Sequence, residues 1–253
     1  MQLLQNPYII AEAGCNHNGS LKMALDMVDI AKHCGADAVK FQAYKTGALL
    51  KKRKGSRWYQ NRRVLKKCEL TLDDFKQLKA RCDKKKIEFL ASVFDMQSLK
   101  EIISLGVPAL KWASPVINDY EMLEVAKQSG LFMIISVGIA TDKDIEKIIN
   151  EILLNNDFAL LHCVSEYPAK NARLDRIAYL KDRFQCQVGY SDHTEGIEVA
   201  VMAADMGAEI IEKHFTISRQ LNTSPDHWWS IEPKELKEMI GQVRIRKARR
   251  EMI

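Results

Sequence analysis

VGYSDHTEGIEVAVMAADMGAEIIEKHFT, residues 188–216, holds the unit from which the fold can be read. The apolar run at Val188 to Tyr190 ends in Ser191, Asp192, His193 and Thr194, and the run from Ala208 ends in Glu212, Lys213 and His214. Between them lies an amphipathic stretch of helical length that stops at Gly207. A strand, a helix and a second strand in that order make a βαβ unit, whose strands lie parallel in one sheet. Two imidazoles then leave the ends of successive strands at one mouth. Neutral imidazole donates a lone pair near pH 7, and two such ligands leave positions for water or substrate, so a divalent metal is expected between His193 and His214. Their sequence spacing is no metal motif by itself, and two ordinary hydrogen-bonded histidines are the other reading.

The same unit recurs along the chain. Apolar runs of strand length are read near Tyr8 to Ala13, Ala36 to Gln42, Ile87 to Ser92, Ala109 to Ala113, Phe132 to Ser136, Ala159 to Cys163, Gln187 to Tyr190 and Glu209 to Lys213. Helices fit between them at Ser20 to Cys34, Thr71 to Lys85, Met96 to Leu105, Asp119 to Ser129, Asp142 to Leu154, Leu174 to Phe184 and Glu195 to Met206, with a last one from Pro233. Gly35, Gly106, Gly130 and Gly207 each follow a helix end, where a left-handed residue returns the chain to the next strand. Eight repeats predict a closed (β/α)8 TIM barrel of the α/β class in a single domain, 1–253, rather than an open doubly wound sheet. No GxGxxG turn follows the first strand, and 253 residues is an ordinary length for such a barrel.

Alternation along each strand assigns faces. Ile10 shares a face with Glu12, Ala38 with Lys40 and Gln42, Ala109 with Lys111, Ile134 with Ser136, Leu160 with His162, and Ile210 with Glu212 and His214. Apolar residues lie deep and polar ones late, as expected of a catalytic mouth. Isolated lysines in strands usually face outward, but unpartnered buried ions cost several kcal/mol, so the recurrence points to one shared polar site. Lys40 and Lys111 among Ser92, Ser114, Ser136 and Ser191 suit a ligand carrying phosphate and carboxylate.

Composition narrows the class further. With 47% hydrophobic residues the chain can bury one large core. No apolar run reaches membrane-spanning length and no leader pattern opens the chain, so a cytoplasmic protein without a membrane partner is expected. The six cysteines are scattered, and reduced thiols are expected. Cys15 and Cys163 lie near strand ends and are read first as small buried hydrophobes, with a functional role as the other reading. The net charge of +5 is concentrated in Lys51 to Lys67, either a solvated loop or a cover for an anionic small molecule; nothing else resembles a nucleic-acid module.

Taken in order, IIAEAGCNHNGS, VKFQ, LKWAS, IISVGIA, LLHCVSEYP, GYSDHT, IIEKHFT and SPDH resemble the sialic acid synthase family from about Tyr8 to Pro233. The resemblance implies condensation of phosphoenolpyruvate with an aldehyde sugar on a TIM barrel, giving a nonulosonate and phosphate. It implies a divalent metal, manganese first, with magnesium, cobalt or zinc as others, held by His193 and His214. Lys40, Lys111, Ser114, Ser136 and Ser191 would bind phosphoenolpyruvate, with Ser92 where the family usually has threonine. Glu12 would face the water or hemiketal at C2, Asp226 would lie beside the metal and acceptor, and Gln42 and Tyr167 would contact the sugar. A homodimer is a further expectation.

Departures from the family concern the acceptor more than the chemistry. Bacterial members read KIGSGE after strand four, where the glutamate contacts the acceptor; here KWASPV puts Val116 at that place. After strand six they carry an asparagine where this chain has Ser165, which is kept as a substrate-binding candidate. The usual C-terminal antifreeze-like domain, which brings an arginine to a partner's site, is not in this sequence, so a barrel domain alone is expected. Arg53, Arg57, Arg62 and Arg63 in the basic segment are candidates for the missing cation. His17 is either mouth-facing or structural, His33 and His227 are read as structural, and His162 as a core histidine near the ligand. Trp228 and Trp229 either stack on a sugar or pack the last loop. A Schiff base on Lys40 or Lys111 is a rival use of these lysines. Rival functions are octulosonate- or heptulosonate-type synthesis and a catalytically silent sugar-binding barrel.

Overall fold

The computed structural model describes residues 7–51, 60–153 and 157–250. Eight strands close a barrel in sequence order: β1 (Tyr8–Gly14), β2 (Ala38–Ala43), β3 (Glu88–Val93), β4 (Ala109–Trp112), β5 (Phe132–Ser136), β6 (Phe158–Cys163), β7 (Gln187–Asp192) and β8 (Ile210–His214). Every neighbouring pair is parallel, β8 returning to β1. The predicted (β/α)8 architecture is the one observed, with strand boundaries displaced by a residue or two.

The helices arise where sequence signals place them. In α1 (Leu21–Cys34) the Ser20 hydroxyl accepts from the Met23 amide, and Gly35 ends the helix at φ 93°. Among the described residues, the short helices α2 (Thr46–Lys51) and α3 (Arg62–Cys68) lie in the connection from β2, before α4 (Leu72–Lys85). The next are α5 (Met96–Ser104), α6 (Tyr120–Gln128), α7 (Asp142–Lys147), α8 (Asp175–Phe184), α9 (Glu198–Asp205) and α10 (Pro233–Arg250). The helix expected over Asp142 to Leu154 changes character partway, since Ile148–Leu153 winds as a π-helix. Among the described residues, no helix is long and apolar enough to cross a membrane.

Two apolar shells hold the fold. The inner one fills the barrel with Ile10, Ala38, Leu90, Ala109, Ile134, Leu161 and Ile210; the outer one packs the other strand faces against the helices. At the N-terminal end, Arg244 of α10 donates to both Asp37 carboxylate oxygens at 2.9 Å, and Asp37 Oδ2 also accepts from the Ile9 amide at 2.8 Å. The last helix is thereby fastened beneath β1 and β2.

Register sets the level of each functional side chain. Glu12 lies opposite Lys40 on one side and His214 on the other; Ser92 lies opposite Lys111, and Ser191 opposite both Cys163 and Glu212. The expected face assignment is corrected in β6. Leu160 lies in the outer shell, while Ala159 and Leu161 fill the barrel, so His162 points outward and Cys163 inward. In FALLHC both faces are apolar over the first four positions, and only pairing with β5 (Ile134 with Ala159, Ser136 with Leu161) fixes which face turns in.

Candidate active site

At the C-terminal mouth the strand ends form an inner chamber of about 440 Å³, lined by Glu12, Lys40, Gln42, Ser92, Lys111, Ser114, Ser136, Cys163, Tyr167, Ser191, His193, Glu212 and His214 among others. Its charged groups interlock. Lys40 Nζ lies 2.5 Å from Glu12 Oε2 and 3.6 Å from Glu212 Oε2, and donates to Ser92 Oγ at 2.7 Å. Lys111 Nζ donates to Ser136 Oγ at 2.7 Å and stands 3.8 Å from Glu212 Oε1, which also accepts from Ser191 Oγ at 2.8 Å. Glu212 thus joins both lysines to the β7 serine. Its place on the inward face of β8 is visible in the alternation, but its pairing with two strands on the far side of the sequence is not. Cys163, read first from sequence as a small buried hydrophobe, also lines the inner chamber, and its thiol is pushed up to about 11 by burial.

Burial and charge divide these groups. Desolvation, reinforced by Glu212, pushes the Glu12 carboxyl up to about 7 against the opposing pull of Lys40. Burial would raise Glu212 as well, but Lys111, Lys40 and the Ser191 hydroxyl outweigh it and hold that carboxyl below its ordinary value. Burial lowers Lys111, helped by Lys40, whereas for Lys40 the two carboxylates overcome burial and raise it. One carboxyl is therefore poised to gain or lose a proton near neutrality while its neighbour stays ionised.

The two expected metal ligands meet. The His193 and His214 ring centroids lie 5.8 Å apart at 65°. Burial lowers His193 to about 4 and His214 well below its usual range, so both rings are neutral at pH 7. The Val164 carbonyl can only accept, so its 2.7 Å contact fixes the proton on His193 Nδ1 and leaves Nε2 a lone pair. His214 Nδ1 is buried without a hydrogen-bond partner. These donors fit a divalent cation as two nitrogen ligands. Among the described residues, no group of three or more His, Cys, Asp or Glu is arranged to hold a metal, so further positions would fall to water or substrate oxygens.

A second chamber of about 600 Å³ adjoins the first and shares Gln42, Tyr167 and His214 with it. Cys15, Asn61, Val64, Leu65, Pro225 and Asp226 complete its wall. Tyr167 lies on the boundary, its ring centroid 4.2 Å from that of His193. Trp229 is buried, with its indole 4.6 Å from the His214 ring, so it packs the last loop; Trp228 is exposed. Among its described residues the basic segment contributes Asn61, Val64 and Leu65 to this wall, while the turn of α3 leaves the candidates Arg62 and Arg63 exposed. Arg53 and Arg57 lie outside the described residues.

Ser165 enters neither chamber. It is exposed and lines a neighbouring cleft, which meets the inner chamber at Cys163, with His162, Arg173 and Arg176; there His162 Nε2 donates to the Ala172 carbonyl at 2.8 Å. Val116 is buried in the outer shell, its carbonyl accepting from the Trp112 indole at 3.0 Å. Ser114 is an inner-chamber residue whose Oγ already accepts from the Ile139 amide at 2.8 Å.

His33 is exposed, and His227 is buried, linking Thr216 Oγ1 (2.7 Å) to Asn18 Oδ1 (2.8 Å). His17 is structural as well. It is buried away from both chambers, with Nδ1 accepting from the Gly19 amide at 3.2 Å. Burial drives its ring down to about 4 from 6.5. Between those values the unfolded chain binds a proton that the folded chain refuses, so acid favours unfolding across this window, by about 3 kcal/mol at its lower end. We expect His17→Gln to narrow the gap between stabilities at pH 7 and pH 4.5, measured by urea denaturation. An unchanged gap would show that His17 titrates normally in the folded protein.

A closed parallel barrel with paired lysines, carboxylates and two neutral histidines gathered at one mouth has the layout of a barrel enzyme. The NeuB family profile matches residues 27–251. N,N'-diacetyllegionaminic acid synthase of Legionella pneumophila is 39% identical, the match covering 94% of this chain and 71% of the relative. N-acetylneuraminate-9-phosphate synthase of Drosophila melanogaster is 35% identical, over 93% of this chain and 67% of the relative. The crystal structure of N-acetylneuraminic acid synthetase from Leptospira borgpetersenii in complex with citrate superposes with a TM-score of 0.89 at 41% identity, covering 96% of this chain and 85% of that one. The chain belongs to the NeuB family, and with that membership it is a phosphoenolpyruvate-dependent synthase that forms a carbon–carbon bond.

Proposed function

We propose that this chain condenses phosphoenolpyruvate with the open-chain aldehyde of an N-acylated amino sugar, giving a 2-keto-3-deoxy nonulosonate and phosphate. The observation that carries the reading is the inner chamber, where Lys40 and Lys111 stand among serine hydroxyls within reach of two carboxylates and two neutral imidazoles. Such a chamber recognises a small ligand with two anionic ends. Lys111 with Ser136 and Lys40 with Ser92 take these ends, displacing the internal ion pairs made in their absence.

The adjoining chamber suits the sugar. Gln42, Asn61 and Asp226 offer polar partners, and Val64, Leu65 and Pro225 offer an apolar surface for an N-acyl methyl group. In the reaction C3 of the enolpyruvyl group attacks the aldehyde carbon, water adds at C2, and phosphate leaves with cleavage of its bond to C2. Glu12, poised near neutrality, accepts the proton of that water. When held by His193 and His214, a divalent cation, manganese ahead of magnesium, cobalt or zinc, supplies a Lewis acid for the acceptor's carbonyl oxygen. Tyr167 packs on His193 at the boundary between the chambers, where it can contact the sugar.

The test is phosphate release from phosphoenolpyruvate with N-acetylmannosamine, its 6-phosphate and diacetamido hexoses, set beside pentose and tetrose phosphates. Release that requires an N-acylated amino sugar supports the proposal. Release only with the pentose or tetrose phosphates would replace it with octulosonate- or heptulosonate-type synthesis, and no release with any aldehyde would make the barrel catalytically silent. Borohydride trapping with pyruvate should leave both lysines unmodified.

A further inference from the structure

The strands that deliver the histidines carry a second pair on their other face. Ser191 and His193 line the inner chamber, as do Glu212 and His214, while Asp192 and Lys213 alternate away from it. These two are register partners, and both side chains are fully buried, at 0% exposure. Lys213 Nζ donates to Asp192 Oδ2 at 2.7 Å and to the Thr194 carbonyl at 2.6 Å. Asp192 Oδ1 accepts from the Thr194 amide at 2.9 Å and from its hydroxyl at 2.8 Å.

Packing alone does not call for this arrangement. Desolvating two ions costs several kcal/mol each, and a well-packed apolar pair often holds a fold as well or better. What the ion pair adds is geometry. One ammonium grips the chain immediately before His193 and immediately after it, and is itself carried by the residue preceding His214. Three fixed points on the outer face thereby set the separation and tilt of two rings on the inner face.

We infer that Asp192 and Lys213 are positioning residues that fix the spacing of the His193 and His214 imidazoles, and so set the affinity of this mouth for a divalent cation. The inference rests on the cation site proposed above. Outer groups that hydrogen-bond metal ligands directly change affinity by about 10–100-fold when removed, and the tie here orients its ligands through the backbone beside them.

The experiment compares the wild-type chain with an Asp192→Leu/Lys213→Met double variant, which replaces both ions with apolar side chains and leaves neither partner buried alone. Mn2+ binding to the metal-stripped protein is followed by the loss of the free-ion electron paramagnetic resonance signal, and the Co2+ visible spectrum reports ligand geometry. The expected result is a folded double variant whose Mn2+ affinity falls about 10–100-fold, with an altered Co2+ spectrum. Wild-type affinity and spectrum in the folded double variant would overturn the inference. Should the double variant fail to fold, Asp192→Asn, which preserves shape, decides on the same two measurements: weakened Mn2+ binding with an intact near-ultraviolet circular dichroism spectrum supports the positioning role, and unchanged binding overturns it. Absence of Mn2+ binding by the wild-type chain would instead remove the cation site on which the inference stands.

Discussion

Replacing Lys111 with methionine is expected to raise the KM for phosphoenolpyruvate by about two to three orders of magnitude, in line with the roughly 2–5 kcal/mol lost when one partner of a buried charge pair is truncated. The variant should still fold, because of how its neighbours are arranged. Glu212 keeps its hydrogen bond from Ser191 and its contact with Lys40 at 3.6 Å, so no carboxylate is stranded. Lys40→Met would be a poorer probe, since it deprives Glu12 of an ammonium at 2.5 Å. Arginine should not rescue position 111, because a planar guanidinium on a longer stem cannot place its charge where the ammonium sits 2.7 Å from Ser136 Oγ. Steady-state kinetics of Lys111→Met and Lys111→Arg check this. A near-normal KM in Lys111→Met would remove the lysine from the donor site.

The second large effect is expected at Glu12. Glu12→Gln keeps the side-chain shape but cannot accept a proton, so kcat should fall by about 10²–10⁴-fold, the usual worth of a positioned general base, with a much smaller change in KM. The pH profile gives an independent reading. With the Glu12 carboxyl at about 7, wild-type kcat/KM should climb as pH rises through neutrality and then level off. In Glu12→Gln the remaining activity should lose that limb. A variant that kept both the limb and its turnover would show that the proton goes elsewhere.

Much of the site could be read along single strands. Glu12, Lys40, Lys111 and Ser136 each share a face with a deep apolar residue, and alternation suffices to send them to one mouth. The failures come where one strand does not contain the answer. Both sides of FALLHC are apolar, so the orientation of His162 and Cys163 waits on the pairing of β6 with β5. Glu212 is visible as an inward residue of β8, but its contacts with Lys40 and Lys111 exist only after the barrel closes. The basic segment shows a different difficulty: charge is conspicuous in the sequence, yet among its described residues α3 brings Val64 and Leu65 to the chamber and leaves Arg62 and Arg63 exposed. Ser165 misleads because resemblance transfers a position along the chain, whereas the loop after β6 carries this side chain into another cleft.

The two chambers draw on different parts of the molecule. Most of the inner chamber's lining stands on barrel strands, where shifting one residue in register would turn a whole row around, whereas the residues that the outer chamber does not share with it come from α3 and its N-terminal flank and from the loops after β1 and β8. With the substrates seated as proposed, the sugar accepted can be changed by editing a surface helix and a loop, without disturbing the staves around the lysines.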